Sequence, residues 1–284
     1  MAMKVAVIGS TGQLGSDLVK VFEDVIPLTH KDIEVTDLSS CETLKELKPD
    51  VVINTAAYHK TDECEENVEK TFLVNSVGAR NVALICREID AIYIYISTDY
   101  VFDGAKDEPY TENDMPNPIN VYGVSKYAGE ILTRYICDKY YIIRLSSLFG
   151  VAGASGKGGN FVETIIKKAD AGDELNVVND IRMSPTYTKD AAAAIKKIIY
   201  NKLPYGIYHV TNDGYCTWYE FAKAIFEITG IDAKLNPTTS DKYPTKARRP
   251  KNSALSISKI KSYGINMIYW KDALKNYLKE KGHI

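Results

Sequence analysis

Paired cysteines, a basic excess and long apolar runs are all missing from this chain of 284 residues. The five cysteines, Cys41, Cys64, Cys86, Cys137 and Cys216, are dispersed and form no C-x-x-C spacing. An odd, scattered set excludes a disulfide framework and a thiolate zinc site, and it predicts reduced thiols. The formal net charge is −2 at pH 7, so a broad nucleic-acid surface is not expected, although a local basic pocket is compatible with that value. No apolar run approaches the ~18 residues of a membrane span, and no secretory signal pattern opens the chain. Neither glycine (18) nor proline (10) is in excess, and no internal repeat or low-complexity tract occurs, which excludes fibrous and disordered classes. The expectation is a cytoplasmic protein without nucleic-acid or membrane partners.

What is present is globular: 45% hydrophobic and 25% charged residues, enough for one large domain or two modest ones. "KVAVIG" (residues 4–9) is a short apolar run ending in glycine, the pattern of a buried parallel strand. Helical spacing of Leu14, Leu18 and Val21 follows. "DVVINTAA" (50–57) repeats the strand signal, and residues 68–89 read as a long helix. "AIYIYIS" (91–97) is a strand rich in β-branched and aromatic residues. A helix follows Pro116 and Pro118, and "YYIIRLS" (140–146) is another strand. Strands alternating with helices predict an α/β fold with a parallel sheet covered on both faces. After about residue 147 the rhythm breaks. A glycine-rich loop (153–161), helices over 188–200, 218–229 and 270–281, and a strand in "GIYHVTN" predict a smaller, less regular α/β cap. The expected division is 1–147 and 148–284, with the helix near 188–200 packing back on the first unit.

Between the first strand and helix lies "GSTGQLG", residues Gly9, Ser10, Thr11, Gly12, Gln13, Leu14 and Gly15. A glycine turn lets the backbone approach a pyrophosphate, whose charge then sits at a helix N-terminus. The spacing is G-x-x-G-x-x-G, and three glycines alone would also suit a plain turn. Its place straight after an N-terminal buried strand points to a dinucleotide. Past the second strand, an acid would favour a free ribose hydroxyl and a base the 2′-phosphate. Here Thr29, His30 and Lys31 come first, which leans to NADPH over NADH, although Lys31 as a merely solvated charge fits nearly as well.

The strand at 91–97 runs into "STDYVFDG", so Ser97 and Thr98 arrive at the carboxyl edge of the sheet, where ligands bind. On the next helix Tyr122 and Lys126 are four residues apart, on one face. A free tyrosine has a pKa of about 10, and a neighbouring lysine is expected to favour the phenolate and bring it closer to neutral. Among 20 tyrosines, one Y-x-x-x-K is expected by chance. Glycine turn, Ser-Thr and Tyr-x-x-x-Lys in this order resemble the extended short-chain dehydrogenase/reductase superfamily, and its Rossmann-like doubly wound sheet. That resemblance implies Thr98, Tyr122 and Lys126 as the catalytic trio, with Thr98 holding a carbonyl, Tyr122 delivering a proton, and Lys126 tuning it and meeting the nicotinamide ribose.

"STDYVFDG", "YGVSKYAGE" (122–130), "GIYHVTNDGYCTWYEFA" (206–222) and "ARRPKNSALS" (247–256) together resemble the dTDP-4-dehydrorhamnose reductase family over nearly the whole chain. The resemblance implies NAD(P)H-dependent reduction of a 4-keto sugar nucleotide. It further implies Ala56, Ala57 and Asn75 near the cofactor and Asp99, Asn160 and Phe161 near the substrate. Arg248 or Arg249 is expected at the diphosphate, a task suited to a guanidinium fork. A homodimer and an accessory Mg²⁺ are compatible with the family, but no carboxylate cluster compels a metal. Three positions depart from the family pattern. Ser147 stands where an aromatic is usual, and Ile181 and Met183 stand for a Gln and a Gly. They bear on which sugar is bound, not on the reductase chemistry.

Two further readings compete. A nucleotide-sugar epimerase or dehydratase of the same superfamily would retain its NAD or need an extra acid, for which Asp99 is available. A non-catalytic regulatory subunit, such as the superfamily's partners of methionine adenosyltransferase, would have no need of all of Thr98, Tyr122 and Lys126. Fold alone does not separate these.

Overall fold

The computed structural model of the protein describes residues 3–153 and 159–284; part of the glycine-rich loop, residues 154–158, lies outside the described residues. The first half runs β1 (Lys4–Ile8), α1 (Gln13–Val21), β2 (Asp24–Leu28), α2 (Leu38–Cys41), α3 (Thr43–Leu47) and β3 (Val51–Asn54). It continues with α4 (Thr61–Glu66), α5 (Val68–Phe72), α6 (Gly78–Glu88), β4 (Ile92–Thr98), α7 (Val121–Ile136) and β5 (Tyr140–Leu145). A π-helical turn, Leu73–Val77, joins α5 to α6.

The second half begins with β6 (Leu148–Phe149), α8 (Phe161–Asp170), β7 (Leu175–Val178), β8 (Arg182–Met183) and β9 (Thr186–Tyr187). Then come α9 (Thr188–Tyr200), β10 (Gly206–His209), β11 (Cys216–Thr217), α10 (Trp218–Thr229), β12 (Leu235–Thr238), α11 (Ser258–Ser262) and α12 (Trp270–Lys281).

The main sheet has six strands in the order β10-β5-β4-β3-β1-β2, and every neighbouring pair is parallel. Alternation of side chains along the strands divides the apolar residues between two layers. Val5, Val7, Val51, Ile53, Ile94 and Ile143 face Leu14 and Leu18 of α1 and Ala191, Ile195 and Ile198 of α9. Ala6, Ile8, Val52, Tyr93, Tyr95 and Ile142 face Leu44, Val82, Ala83 and Ile136 on the other side. The strand in the second half, β10, pairs with β5 as an edge of the main sheet, because Tyr208 completes the first of these layers. A separate core, with Phe149, Tyr187, Phe221, Trp270 and Tyr277, gathers α8, α10, α12 and the short strand pairs.

The chain leaves β1 to form β2 on one side and returns to form β3 on the other. The loops after β1 and β3 therefore diverge, and a crevice opens at the carboxyl edge between them, the topological switch point of a parallel sheet.

Candidate active site

A cleft of ≈ 930 Å³ occupies this edge and runs from the β1–α1 turn past β4 to the second half. At the turn, Gly9 has a left-handed φ of 77°, a conformation that costs any residue with a Cβ. A Cβ on Gly15 would lie 2.1 Å from the Gly9 carbonyl oxygen, so only glycine lets α1 pack this closely on the turn. Gly12 caps α1 without a side-chain hydrogen bond. The first-turn amides thus keep their donor capacity toward the cleft, an arrangement that fits a phosphate. Gly9, Thr11, Gly12, Gln13 and Leu14 line the cleft. Gly15 serves packing, and Ser10 is buried in the turn.

Beyond β2, Thr29, His30, Ile33, Glu34, Val35 and Thr36 line the wall, and Lys31 is not among the lining residues. His30 Nε2 lies 3.3 Å from a Glu34 carboxylate oxygen, and the Thr36 amide and hydroxyl donate to Glu34 at 2.9 and 2.8 Å. Burial works against the Glu34 charge, yet the Thr36 hydrogen bonds and His30 hold its carboxyl below the usual range. Glu34 stands four positions beyond His30, farther from the end of β2 than the specificity position is expected from sequence. Ala56 and Ala57 line the opposite wall, joined by Tyr58, His59 and Thr61. Asn75 does not line the cleft. Fully buried in the π-turn, its carbonyl oxygen accepts the Tyr58 amide at 2.8 Å, and its amide group donates to the Tyr58 carbonyl and to Ser125 Oγ on α7, both at 3.0 Å. It ties the loop after β3 to the helix of Tyr122.

Thr98, Asp99, Tyr122 and Lys126 converge on one part of the cleft, with Ser97 beside them. α7 starts at Asn120, whose side chain accepts the Gly123 amide at 2.7 Å. Asn120 thereby places Tyr122 in the first turn of α7, with its ring edge-on to Tyr100 at 6.1 Å. The Thr98 hydroxyl donates to Asp99 at 3.1 Å and accepts the Tyr100 amide at 3.2 Å. Burial pushes the Tyr122 phenol above its ordinary value, and the hydrogen bond with Thr98 opposes that shift. The lowering expected from Lys126 is therefore not what the structure has: burial sets the shift, and the neighbouring charge of Asp99 raises it further. Lys126 shows the same cause with the opposite sign: burial lowers it to about 7, against the charge of Glu130. Its ammonium lies 4.1 Å from the centre of the Tyr95 ring. Asp99 is pushed up to about 6 by burial, against hydrogen bonds from Ser253, Ser146 and Thr98. Ser97, although at the cleft, donates its hydroxyl to Glu130 at 2.5 Å and so does not face a ligand with it.

At the far end Ser147, Leu148, Asn160, Phe161, Thr164 and Trp218 line the cleft. Ser147 has a left-handed φ of 45°, an uncommon state for a non-glycine residue that warrants attention at a site. Asn160 caps α8 and donates to Gly150 O at 3.1 Å and Tyr277 Oη at 3.0 Å. Phe161 and Trp218 pack with their ring centres 4.7 Å apart and their planes tilted by 55°. Trp218, one of two tryptophans in the chain, was open to detection by its rarity. Ile181 and Met183 are buried and do not line the cleft, which leaves Ser147 as the departure that touches it. Arg248 and Arg249 do not line it either. Arg249 forks onto Asp62 at 2.8 and 3.2 Å, and the Arg248 carbonyl accepts from Asn120 at 2.9 Å. The ARRP segment thus straps α4 to the start of α7, with Asp62 supplying the carboxylate that the Arg249 fork fits. Among the described residues no group of three or more His, Cys, Asp and Glu could hold a metal ion, and no helix is long and apolar enough to cross a membrane.

The model of the RmlD substrate binding domain family matches residues 3–282. The chain belongs to the dTDP-4-dehydrorhamnose reductase family. It is 42% identical to the spore coat polysaccharide biosynthesis protein SpsK of Bacillus subtilis, over 98% of each chain. It is 34% identical to dTDP-4-dehydrorhamnose reductase of Escherichia coli, again over 98% of each. Among solved structures, dTDP-4-dehydrorhamnose reductase of Bacillus anthracis in complex with NADP shares 37% identity, with a TM-score of 0.93 over 99% of this chain and 100% of that one. Family membership makes the protein a sugar-nucleotide reductase with a Rossmann-like dinucleotide fold.

Proposed function

We propose that the protein reduces the keto group of a 4-keto sugar nucleotide with NADPH or NADH, its substrate being dTDP-4-dehydro-L-rhamnose. The observation that carries this reading is that Thr98, Tyr122 and Lys126 share one cleft with the uncapped glycine turn. The turn and the first amides of α1 suit a pyrophosphate, and His30, Glu34, Ala56 and Ala57 would border the dinucleotide. Glu34, in hydrogen-bond reach of His30, suits a ribose hydroxyl, whereas His30 suits a 2′-phosphate; the NADP complex of the Bacillus anthracis relative supports NADPH as the first cofactor to test. A reduced nicotinamide supplies the hydride for the carbonyl carbon.

The chain's own residues handle the oxygen. On substrate binding the Thr98 hydroxyl turns its one proton from Asp99 to the carbonyl oxygen, and Tyr122 delivers the proton that turns that oxygen into a hydroxyl. A phenol kept above its ordinary pKa by burial is fully protonated at neutral pH, the form a donor requires. Lys126, one helical turn on and lowered to about 7 by burial, eases departure of that proton in its protonated form, which is half populated near neutral pH. Asp99 acts on the substrate through Thr98. The far end, with Ser147, Asn160, Phe161 and Trp218, is proposed to take the sugar nucleotide. On this reading residues 1–147 hold the cofactor and residues 148–284 mainly the substrate, with α9 and β10 returning to the main sheet.

The test is spectrophotometric: loss of reduced nicotinamide absorbance on mixing protein, dTDP-4-dehydro-L-rhamnose and NADPH or NADH. Turnover with either cofactor is expected, and no oxidation with both would refute the reading. SpsK, named for spore coat polysaccharide, and the small Ser147 favour a second reading, in which a different 4-keto sugar nucleotide is the substrate. A panel of such sugars with one cofactor separates the two.

A further inference from the structure

Lys126 and Glu130 stand four residues apart on α7, the spacing at which a helix ordinarily joins lysine to carboxylate. Both are buried, at 2% and 0% exposure. Yet both carboxylate oxygens of Glu130 are taken by other donors. Arg144 on β5 forks onto them, Nε at 2.9 Å and Nη2 at 2.7 Å, and Ser97 on β4 donates at 2.5 Å. Ser97 and Arg144 are register partners on adjacent strands, so the two donors arrive together. Arg144 is itself held from behind. Its guanidinium lies 5.1 Å from the Phe102 ring, and Nη1 lies 3.5 Å from His209 Nε2 on β10. His209 Nδ1 is 3.1 Å from the Tyr110 carbonyl, which fixes that nitrogen as the donor and leaves Nε2 as a lone pair facing Arg144.

We propose that Arg144 is a positioning residue: it occupies Glu130, and so keeps the Lys126 ammonium turned into the cleft instead of paired along its own helix. This rests on the reading of Lys126 as a site residue. A buried Glu–Arg pair contributes little net stability over well-packed apolar residues, so stability alone gives no reason for it. An apolar pair, however, would leave no carboxylate near Lys126, and an unoccupied Glu130 would capture it. The Glu130–Arg144 fork does neither. The groups that face Lys126 and this pair are Tyr122 on α7, Tyr95 on β4 and His209 on β10, with Glu112 and Lys259 acting on the His209–Arg144 side.

The test reads Lys126 directly on the protein alone. Competitive acetylation with acetic anhydride across pH, followed by peptide mass mapping, gives its titration midpoint without nucleotide or sugar, so a failed reductase assay leaves this measurement standing. Arg144→Met frees Glu130 for Lys126, and the midpoint is expected to rise, a one-unit rise from about 7 slowing labelling at pH 7 about fivefold. Glu130→Gln leaves Arg144 as an unpaired cation and is expected to lower the midpoint. The double variant removes both charges, and its midpoint is expected to stay within about half a unit of native, about twofold in rate at pH 7. Midpoints that move in the same direction in the two single variants, or an unchanged midpoint in Arg144→Met, would overturn the proposal. Should Arg144→Met fail to fold, Arg144→Lys carries the same test: it keeps the charge, loses the fork and should label more slowly than native, and a native rate would count against the proposal.

Discussion

Gly123, the residue after Tyr122, offers the sharpest probe of how the site is held. A Cβ there would lie 2.1 Å from the carbonyl oxygen of Tyr100 and 3.0 Å from Pro118 Cβ. A carbon–oxygen contact settles at about 3.3 Å, so Gly123→Ala must move the first turn of α7 from Tyr100 by about 1 Å. Two terms oppose each other in stability. Alanine in a helix gains about 1 kcal/mol over glycine, while forced overpacking costs about 1–3 kcal/mol. The obstruction is backbone, which cannot rotate aside as a side chain can, so a value near the upper end of the cost is expected. The net loss is then about 1–2 kcal/mol, a fall of a few degrees in Tm for a chain of this size. The effect on chemistry should be larger, because a displacement of about 1 Å can lower the rate about 100-fold. The same turn carries Tyr122, whereas the glycine turn at Gly9 is remote from it. Nicotinamide oxidation, thermal melting and NADPH binding by fluorescence separate these effects. The expected pattern is kcat down about 100-fold, a modest Tm loss and NADPH affinity within about threefold. A kcat within twofold of native would refute the claim that the close seat of α7 on Tyr100 positions the proton donor.

Tyr122→Phe should lower kcat by about 10²–10⁴-fold, the range of general acid catalysis, with NADPH affinity nearly unchanged; retention of most activity would identify another group as the acid. Asp99, raised to about 6 by burial, has a folded pKa above its unfolded value, so its contribution to stability is full below about pH 4 and is lost as pH rises through about 6. Asp99→Asn should therefore flatten the pH dependence of unfolding between about pH 4 and 6, and urea titrations showing an unchanged dependence would contradict the assignment. Arg249→Met should leave the substrate KM within about threefold, because Arg249 forks onto Asp62, and this half-exposed pair contributes on the order of 1 kcal/mol at most. A KM raised tenfold or more would return Arg249 to the diphosphate.

Much of the scaffold was legible in local pattern. Apolar runs at β1, β3, β4 and β5 and helical spacing between them mark an α/β fold, because side-chain period follows backbone geometry whatever surrounds it. The helices Thr188–Tyr200 and Trp270–Lys281 begin and end where the sequence predicts. The glycine turn was readable for a steric reason: Gly9 needs a left-handed φ, and Gly15 needs the missing Cβ. Order along the chain was enough to bring Thr98, Tyr122 and Lys126 forward as a group, since each strand of a parallel sheet ends, and the helix after it begins, on the same edge.

Partner choice was not legible, since it depends on which distant elements the sheet order makes neighbours. Arg249 meets a carboxylate 187 positions away, and Asn120 meets the Arg248 carbonyl across 128; nothing local distinguishes these residues from solvated polar ones. The β10 strand was readable as a strand but not as an edge of the main sheet, because its apolar face fits whichever layer lies beside it. Asn75 and Ser97 were expected at a ligand, yet their polar groups are used within the fold, as burial demands of any polar side chain. The shift of Tyr122 likewise turned on burial. The sequence by itself determined the main strands and helices, the glycine turn and the candidate reacting groups. Tertiary structure alone decided which charges stand beside them and how dry they are, since desolvation and pairing are properties of an environment assembled from remote segments.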